Sequence, residues 1–241
     1  MRGRRIFVTG DEIRDEKILF SEVNISYLKN VLHFGPGDCL TALDGTRRYD
    51  VILELDHRNA LIGNIRSSTE DAFEFPVKVD LAFGCIRPGP TEEIIRHCTE
   101  LGVHSFYPLL FERSNRRPDS VRTRWIKIAS SACAQSGRSK IPTFNDPMYL
   151  EQFLNEVSRD SCLVYFALNR EIPPLRIILD SCKPDQVVFV IGPEGGLTHQ
   201  EESRLTTAGF VATSLGSTTL RTETAAIVAV GMVMNWDRSQ N

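Results

Sequence analysis

Two glycine-rich turns hold the residue types in this chain best placed to do chemistry. The first, GPEGGLT at 192–198, follows the apolar run Val187–Ile191 and enters a helix through Thr198-x-x-Glu201. Gly195 and Gly196 allow the backbone to approach a ligand closely. Thr198 with Glu201 makes a capping box that satisfies two amides at the start of the helix. The second turn, LGSTTLRTETA at 215–225, leads into the uncharged run Ala225–Met234. Arg221 and Glu223 stand at its entrance. The helix dipole accounts for Glu223 but not for Arg221, because a cation at a helix N-terminus is unfavourable unless it meets a bound anion or a reacting group. Neither turn contains GxGxxG or GK[ST], so dinucleotide and P-loop chemistry are not supported. Two glycine turns at the carboxyl ends of strands make a ligand crevice.

The elements that position these turns fall into two blocks. Residues 1–70 read as short strands and turns: Ile6–Thr9, Cys39–Leu43, Tyr49–Leu55 and Ala60–Ile65, with one amphipathic helix at Ile25–Phe34 that buries Leu28, Val31 and Leu32. Asp44-Gly45 and Asp56–Asn59 are turn signals, and the pattern predicts a small antiparallel barrel. Ser67–Asp71 reads as the linker. Residues 75–241 alternate strand and helix, which predicts an α/β domain with a parallel sheet covered on both faces. Strands are expected at Val77–Gly84, Ser105–Leu110, Cys162–Leu168, Val187–Gly192 and Val211–Leu215. Helices are expected at Thr91–Leu101, Ser120–Ala134, Tyr149–Val157, Thr198–Ala208 and Thr222–Trp236.

Charge adds a partner. Residues 113–140 carry Arg113, Arg116, Arg117, Arg122, Arg124, Lys127, Arg138 and Lys140 against the single acid Asp119, although the whole chain is net −3. Such segregation is the electrostatic footprint of a polyanion-binding surface. The six cysteines are scattered without a CxxC, and His97, Cys98 and His104 lack ligand spacing, so neither a disulfide framework nor a metal site is expected. No apolar run reaches the roughly 20 residues of a membrane span, and Ile6-Phe7-Val8 is too short for a signal peptide. A cytoplasmic protein is expected.

The two turns, GPEGGLT and LGxxxLRxETA, resemble the 16S ribosomal RNA uracil-N3 methyltransferases of the SPOUT class. Thr99–Val103, Glu112–Ser114, Ala134–Arg138 followed by Pro142, and the start Arg4–Val8 match in the same order. The resemblance implies a PUA-like β-barrel RNA-binding domain over 1–70 and a SPOUT domain with a trefoil knot over 75–241. It implies a homodimer acting on 16S rRNA, within the assembled small subunit. It implies S-adenosyl-L-methionine as methyl donor, held by Leu168, Gly192, Gly196, Leu215, Leu220, Arg221, Thr222 and Ala225, with Glu194, Gly195 and Gly216 in the same turns. Where members carry basic residues before and within the first helix, this chain has Arg87-Pro-Gly-Pro90 and His97.

Methylation at uracil N3 requires the donor methyl in line with N3, loss of the N3 proton, and stabilisation of charge on O2 and O4. Arginine forks suit the last need, which nominates Arg138 and then Arg221. Glu223 is the candidate base. Arg4, Arg5, Arg113, Arg116, Arg117 and Arg138 are candidate RNA contacts. A SPOUT ribose 2′-O-methyltransferase is disfavoured, because Glu223-Thr-Ala225 stands where those enzymes resemble one another in an asparagine-containing segment. A non-catalytic rRNA-binding assembly factor would have no need of a donor crevice.

Overall fold

The computed structural model describes residues 5–70, 76–167 and 172–236. Leu168 and Arg4 lie outside them. The chain divides into two compact units, one within Met1–Phe73 and Cys133–Ile141, the other within Glu74–Ala132 and Pro142–Asn241.

In the first unit β1 (Arg5–Phe7), β2 (Ile13–Arg14) and β3 (Lys17–Ile18) precede α1 (Glu22–Asn30). Strands β4 (Cys39–Leu43), β5 (Arg47–Leu55) and β6 (Leu61–Glu70) follow. The strands join in the order β1-β4-β5-β6-β3-β2 around Ile6, Ile18, Phe20, Leu28, Leu40 and Leu53. The expectation of a wholly antiparallel arrangement is corrected, because β1 runs parallel to β4. The intervening β2, β3 and α1 supply the long crossover that parallel pairing requires. The expected linker is also corrected: Ser67–Glu70 extend β6 and pair with Arg47–Asp50. Ser67–Glu70 are polar and exposed on both faces, so they lack the apolar alternation that marks a strand. Helix α1 starts earlier than its apolar pattern implies, because Ser21 accepts from the Asn24 amide. Val31 falls beyond its last turn and is 60% exposed.

The second unit contains β7 (Lys78–Gly84), α2 (Pro88–Glu100), β8 (Ser105–Leu110) and α3 (Thr123–Ser136), whose last residues belong to the first unit. It continues with β9 (Thr143–Phe144), β10 (Met148–Tyr149), α4 (Leu150–Glu156), β11 (Cys162–Phe166), α5 (Leu175–Cys182) and β12 (Gln186–Ile191). Helix α6 (His199–Thr207), β13 (Val211–Thr213) and α7 (Thr222–Met234) complete it. The sheet order is β10-β8-β7-β12-β11-β13, with β9 beside β8, and every pair is parallel. Central β12 buries Val187–Ile191 completely, as a strand covered on both faces must. Helix α5 was not expected from the sequence. It buries Leu175, Ile178 and Leu179 at helical spacing behind Pro174.

Helix α7 packs against α2, α5, β7 and β12. It buries Ala225, Ala226, Ala229, Val230 and Val233 within its own chain. Its exposed side is a narrow stripe through Thr224 and Val228, the latter 37% exposed. No described helix is long and apolar enough to cross a membrane.

Candidate functional site

The carboxyl ends of β11, β12 and β13 open into a cavity of about 540 Å³, within the range of small-molecule sites. Three side-chain hydroxyl or backbone ties join the segments that leave these strands. Thr222 Oγ1, in the first turn of α7, donates to the Gly192 carbonyl at 3.1 Å. Thr213 Oγ1 donates to the Pro173 carbonyl at 2.8 Å, and Pro174 pairs with Ser214 in an isolated parallel bridge. The two glycine turns noted in the sequence are thus walls of one cavity.

Within the first turn Gly196 has φ +69, the left-handed region that glycine adopts freely. A Cβ there would meet no protein atom within 4 Å, and Gly196 lines the cavity. A side chain at this position would occupy ligand space. The turn is braced by polar contacts from neighbouring segments. Arg113 Nη1 donates to the carbonyls of Gly195 and Leu197 at 3.0 and 3.2 Å. Asn115 Nδ2 donates to Glu194 at 2.9 Å, and the Arg87 guanidinium lies 3.8 Å from the same carboxylate. Glu201 is buried and accepts from the amides of Thr198 (2.7 Å) and Glu112 (2.9 Å). The capping carboxylate therefore also pins the start of the basic segment.

The cavity brings together Gly192, Glu194, Gly195, Gly196, Leu215, Gly216, Leu220, Arg221, Thr222 and Ala225. Exposed Arg221 is the N-cap of α7 and makes no side-chain cap bond there. Arg113, nominated for RNA, lines this same cavity. Glu223 and Arg138 do not line it. Glu223 is buried one residue beyond Thr222, where the 100° step of a helix turns it off the cavity face. Arg138 is half-buried in the Cys133–Ile141 segment. The Arg5 guanidinium approaches Gly137 in that segment so closely that a Cβ there would meet Nη1 at 2.3 Å. Arg116 and Arg117 are exposed. Sequence reasoning missed Phe166 and Ala167, because nothing in the run Cys162–Phe166 distinguishes its cavity end. It also missed Glu202, whose place in the first turn of α6 reads as dipole matching.

Competing chemistry is not built elsewhere among the described residues. Asp80, His104 and Ser105 gather near the opposite strand ends, but Asp80 Oδ1 and Ser105 Oγ both meet His104 Nδ1, at 3.1 and 3.0 Å. A nucleophilic relay needs both ring nitrogens. Gln186 also donates to Asp80 at 2.6 Å, so the cluster ties β7, β8 and β12 together. Burial pushes the Cys85 thiol up to about 12, which leaves no thiolate at neutral pH. No three described His, Cys, Asp or Glu side chains gather as a metal site.

The family model for an RNA methyltransferase domain matches residues 73–234, the whole of the cavity included. A ribosomal RNA small subunit methyltransferase E from Synechocystis sp. is 32% identical over 234 residues, covering 95% of this chain and 76% of that relative. The chain belongs to this family of RNA methyltransferases. The Bacillus subtilis protein of the same name is 36% identical over 175 residues, 68% of each chain. A crystal structure of the Neisseria gonorrhoeae family member, bound to S-adenosyl methionine, matches with a TM-score of 0.85 at 27% identity, covering 95% of this chain and 96% of that one. The family likeness therefore extends through both units.

Proposed function

We propose that this chain methylates N3 of a uridine in the 16S rRNA of the small ribosomal subunit, with S-adenosyl-L-methionine as the donor. The observation that carries this reading is the cavity made jointly by the two glycine turns, with Gly196 leaving space that a side chain would fill. Its size and its mixed wall of backbone, hydroxyls and apolar side chains fit the donor. Gly192, Gly196, Leu215, Leu220, Thr222 and Ala225 would hold it, and Leu168, beyond the described residues, belongs to the same set. When bound, the donor supplies an electrophilic methyl group.

The chain's own part is to position, exclude water and balance charge. Fixing the base in line with the methyl can contribute roughly 7–11 kcal/mol when geometry is ideal. Arg221, at the mouth, stabilises charge developing on uracil O2 or O4. Glu223 does not line the cavity, so the proton leaves toward the carboxylates that do, Glu194 and Glu202. Glu194 is engaged by Asn115 and Arg87, which leaves Glu202 the better acceptor. Arg138 is supplied across a homodimer assembled on the Val228 stripe of α7. Arg4, Arg5, Arg116 and Arg117 contact phosphates. A trefoil knot among the stitched segments, a PUA-like role for the first unit, and a cytoplasmic enzyme acting on assembled subunits complete the reading.

Calorimetric titration with S-adenosylmethionine tests it against the assembly-factor alternative. Stoichiometric binding that is lost with the donor turn is expected. A folded protein that binds rRNA but no donor would overturn it.

A further inference from the structure

A second cavity, of about 180 Å³, lies at the carboxyl end of β7. It is next to the first in the sheet. Phe83 lines it, and Ile191, the register partner of Phe83 on β12, lines the donor cavity. One stretch of chain serves both: Arg113 borders the first cavity, and Arg116 and Pro118 border the second.

The wall of the second cavity divides by chemistry. Phe83, Pro118 and Trp125 are apolar parts of it, and Arg116, Arg122 and Arg124 are its cationic parts. Arg124 makes a two-point ion pair with Glu92 through Nε and Nη2, the latter at 2.7 Å, so those two charges cancel. Arg116 and Arg122 are exposed and have no acid within ion-pair reach among the described residues. The pocket wall therefore combines two unneutralised guanidinium groups with apolar side chains. Its volume equals the share of about six waters in the liquid, room for one base but not for a helix. Trp125 is 5% exposed, so only a small part of it is open to a ligand.

We propose that this cavity holds one nucleotide of the RNA chain adjacent to the methylated one. Its phosphate meets Arg116 and Arg122, and its base lies against Phe83, Pro118 and Trp125. Proteins that read single-stranded RNA splay bases into such apolar pockets and meet phosphates with arginine. Capture of the neighbouring nucleotide beside the donor cavity would draw the target base toward the donor and fix the strand direction. The proposal rests on the reading that the substrate is RNA.

Trp125 is its own reporter. The chain has two tryptophans, and Trp236, whose indole N–H bonds Asp180, lines neither cavity. Trp236→Phe therefore isolates the Trp125 emission. We expect a single-stranded oligoribonucleotide containing the methylated uridine to shift that emission saturably, and an abasic residue at one flanking position to abolish the shift. Arg116→Ala with Arg122→Ala should weaken oligonucleotide binding about tenfold and lower the magnitude of the log–log salt slope by roughly 1–2. Donor affinity should stay unchanged.

Inorganic phosphate reproducing the whole shift, or abasic and intact RNA behaving alike, would overturn the nucleotide assignment. So would an acidic peptide that moves the emission where RNA does not. RNA bound and methylated normally by the double variant, with Trp125 silent, would sink this proposal and leave the proposed function standing. A Trp125 response to RNA in a protein that never methylates it would do the reverse.

Discussion

The hydroxyl of Thr222 donates to the carbonyl of Gly192 at 3.1 Å, joining the first turn of α7 to the turn after β12. Thr222 is 4% exposed and Gly192 is half-buried beside the cavity, so losing the hydroxyl leaves that carbonyl without its protein partner. A typical hydrogen bond contributes about 0.5–1.5 kcal/mol net. Thr222→Val keeps the shape and removes only the donor. Calorimetry should show S-adenosylmethionine binding about tenfold or more weaker, and thermal unfolding should shift down modestly. Unchanged affinity would mean that the two turns hold their relative position without this bond.

Gly196 concerns direct space instead of alignment. With φ +69, any side chain there is strained, and a branched one more so. Gly196→Val should abolish donor binding while RNA binding persists. Gly196→Ala carries less strain and should still weaken the donor, because its methyl projects into the cavity. Retained donor affinity in a folded Ala variant would remove this turn from the donor site.

Two valines of α7 separate folding from assembly. Val230 is fully buried in its own chain, whereas Val228 is 37% exposed. Val230→Glu should abolish soluble folded protein, because an unpaired charge is buried. Val228→Glu should fold, sediment as a monomer and lose most activity. An active Val228→Glu monomer would remove the dimer from the account.

Acid should loosen the first unit through Glu12. Burial alone would raise this carboxyl, but the amides of Ser21 (2.6 Å) and Thr9 (2.8 Å), with the Asn24 side chain, outweigh it and hold the group below its ordinary range. A carboxyl lowered in the folded state stabilises fully above its unfolded value and loses that stabilisation as pH falls through the folded one. Urea midpoints taken from about pH 7 to about pH 3 should fall at the acid end. Glu12→Gln should be weaker at neutral pH and flatter below it. An equally steep acid limb in the variant would assign the loss to other carboxyls, such as Asp44, also lowered: burial opposes, but Tyr49 and the amides of Arg47 and Thr46 prevail.

The buried parallel strands were legible because burial on both faces writes a continuous apolar run, as at Val187–Ile191. That the two glycine turns form a crevice was legible because glycines and capping residues mark sharp turns locally. What could not be read depends on tertiary partners. The outer half of β6 is polar because it covers nothing, and it passed for a linker. Whether Glu223 or Thr222 faces the cavity turns on one 100° step of α7. The place of Arg138 depends on Cys133–Ile141 grouping with the first unit, a long-range relationship that no local pattern records.

Methylation of uridine N3 is read most simply from the RNA product. Small subunits from cells lacking the enzyme are incubated with purified protein and isotopically labelled S-adenosylmethionine, and the digested 16S rRNA is read by nucleoside mass spectrometry. One labelled nucleoside, N3-methyluridine, is expected, and it should be absent when Gly196→Val replaces the wild-type chain. Label on a ribose 2′-oxygen, or none from a protein that binds the donor, would contradict the proposed function.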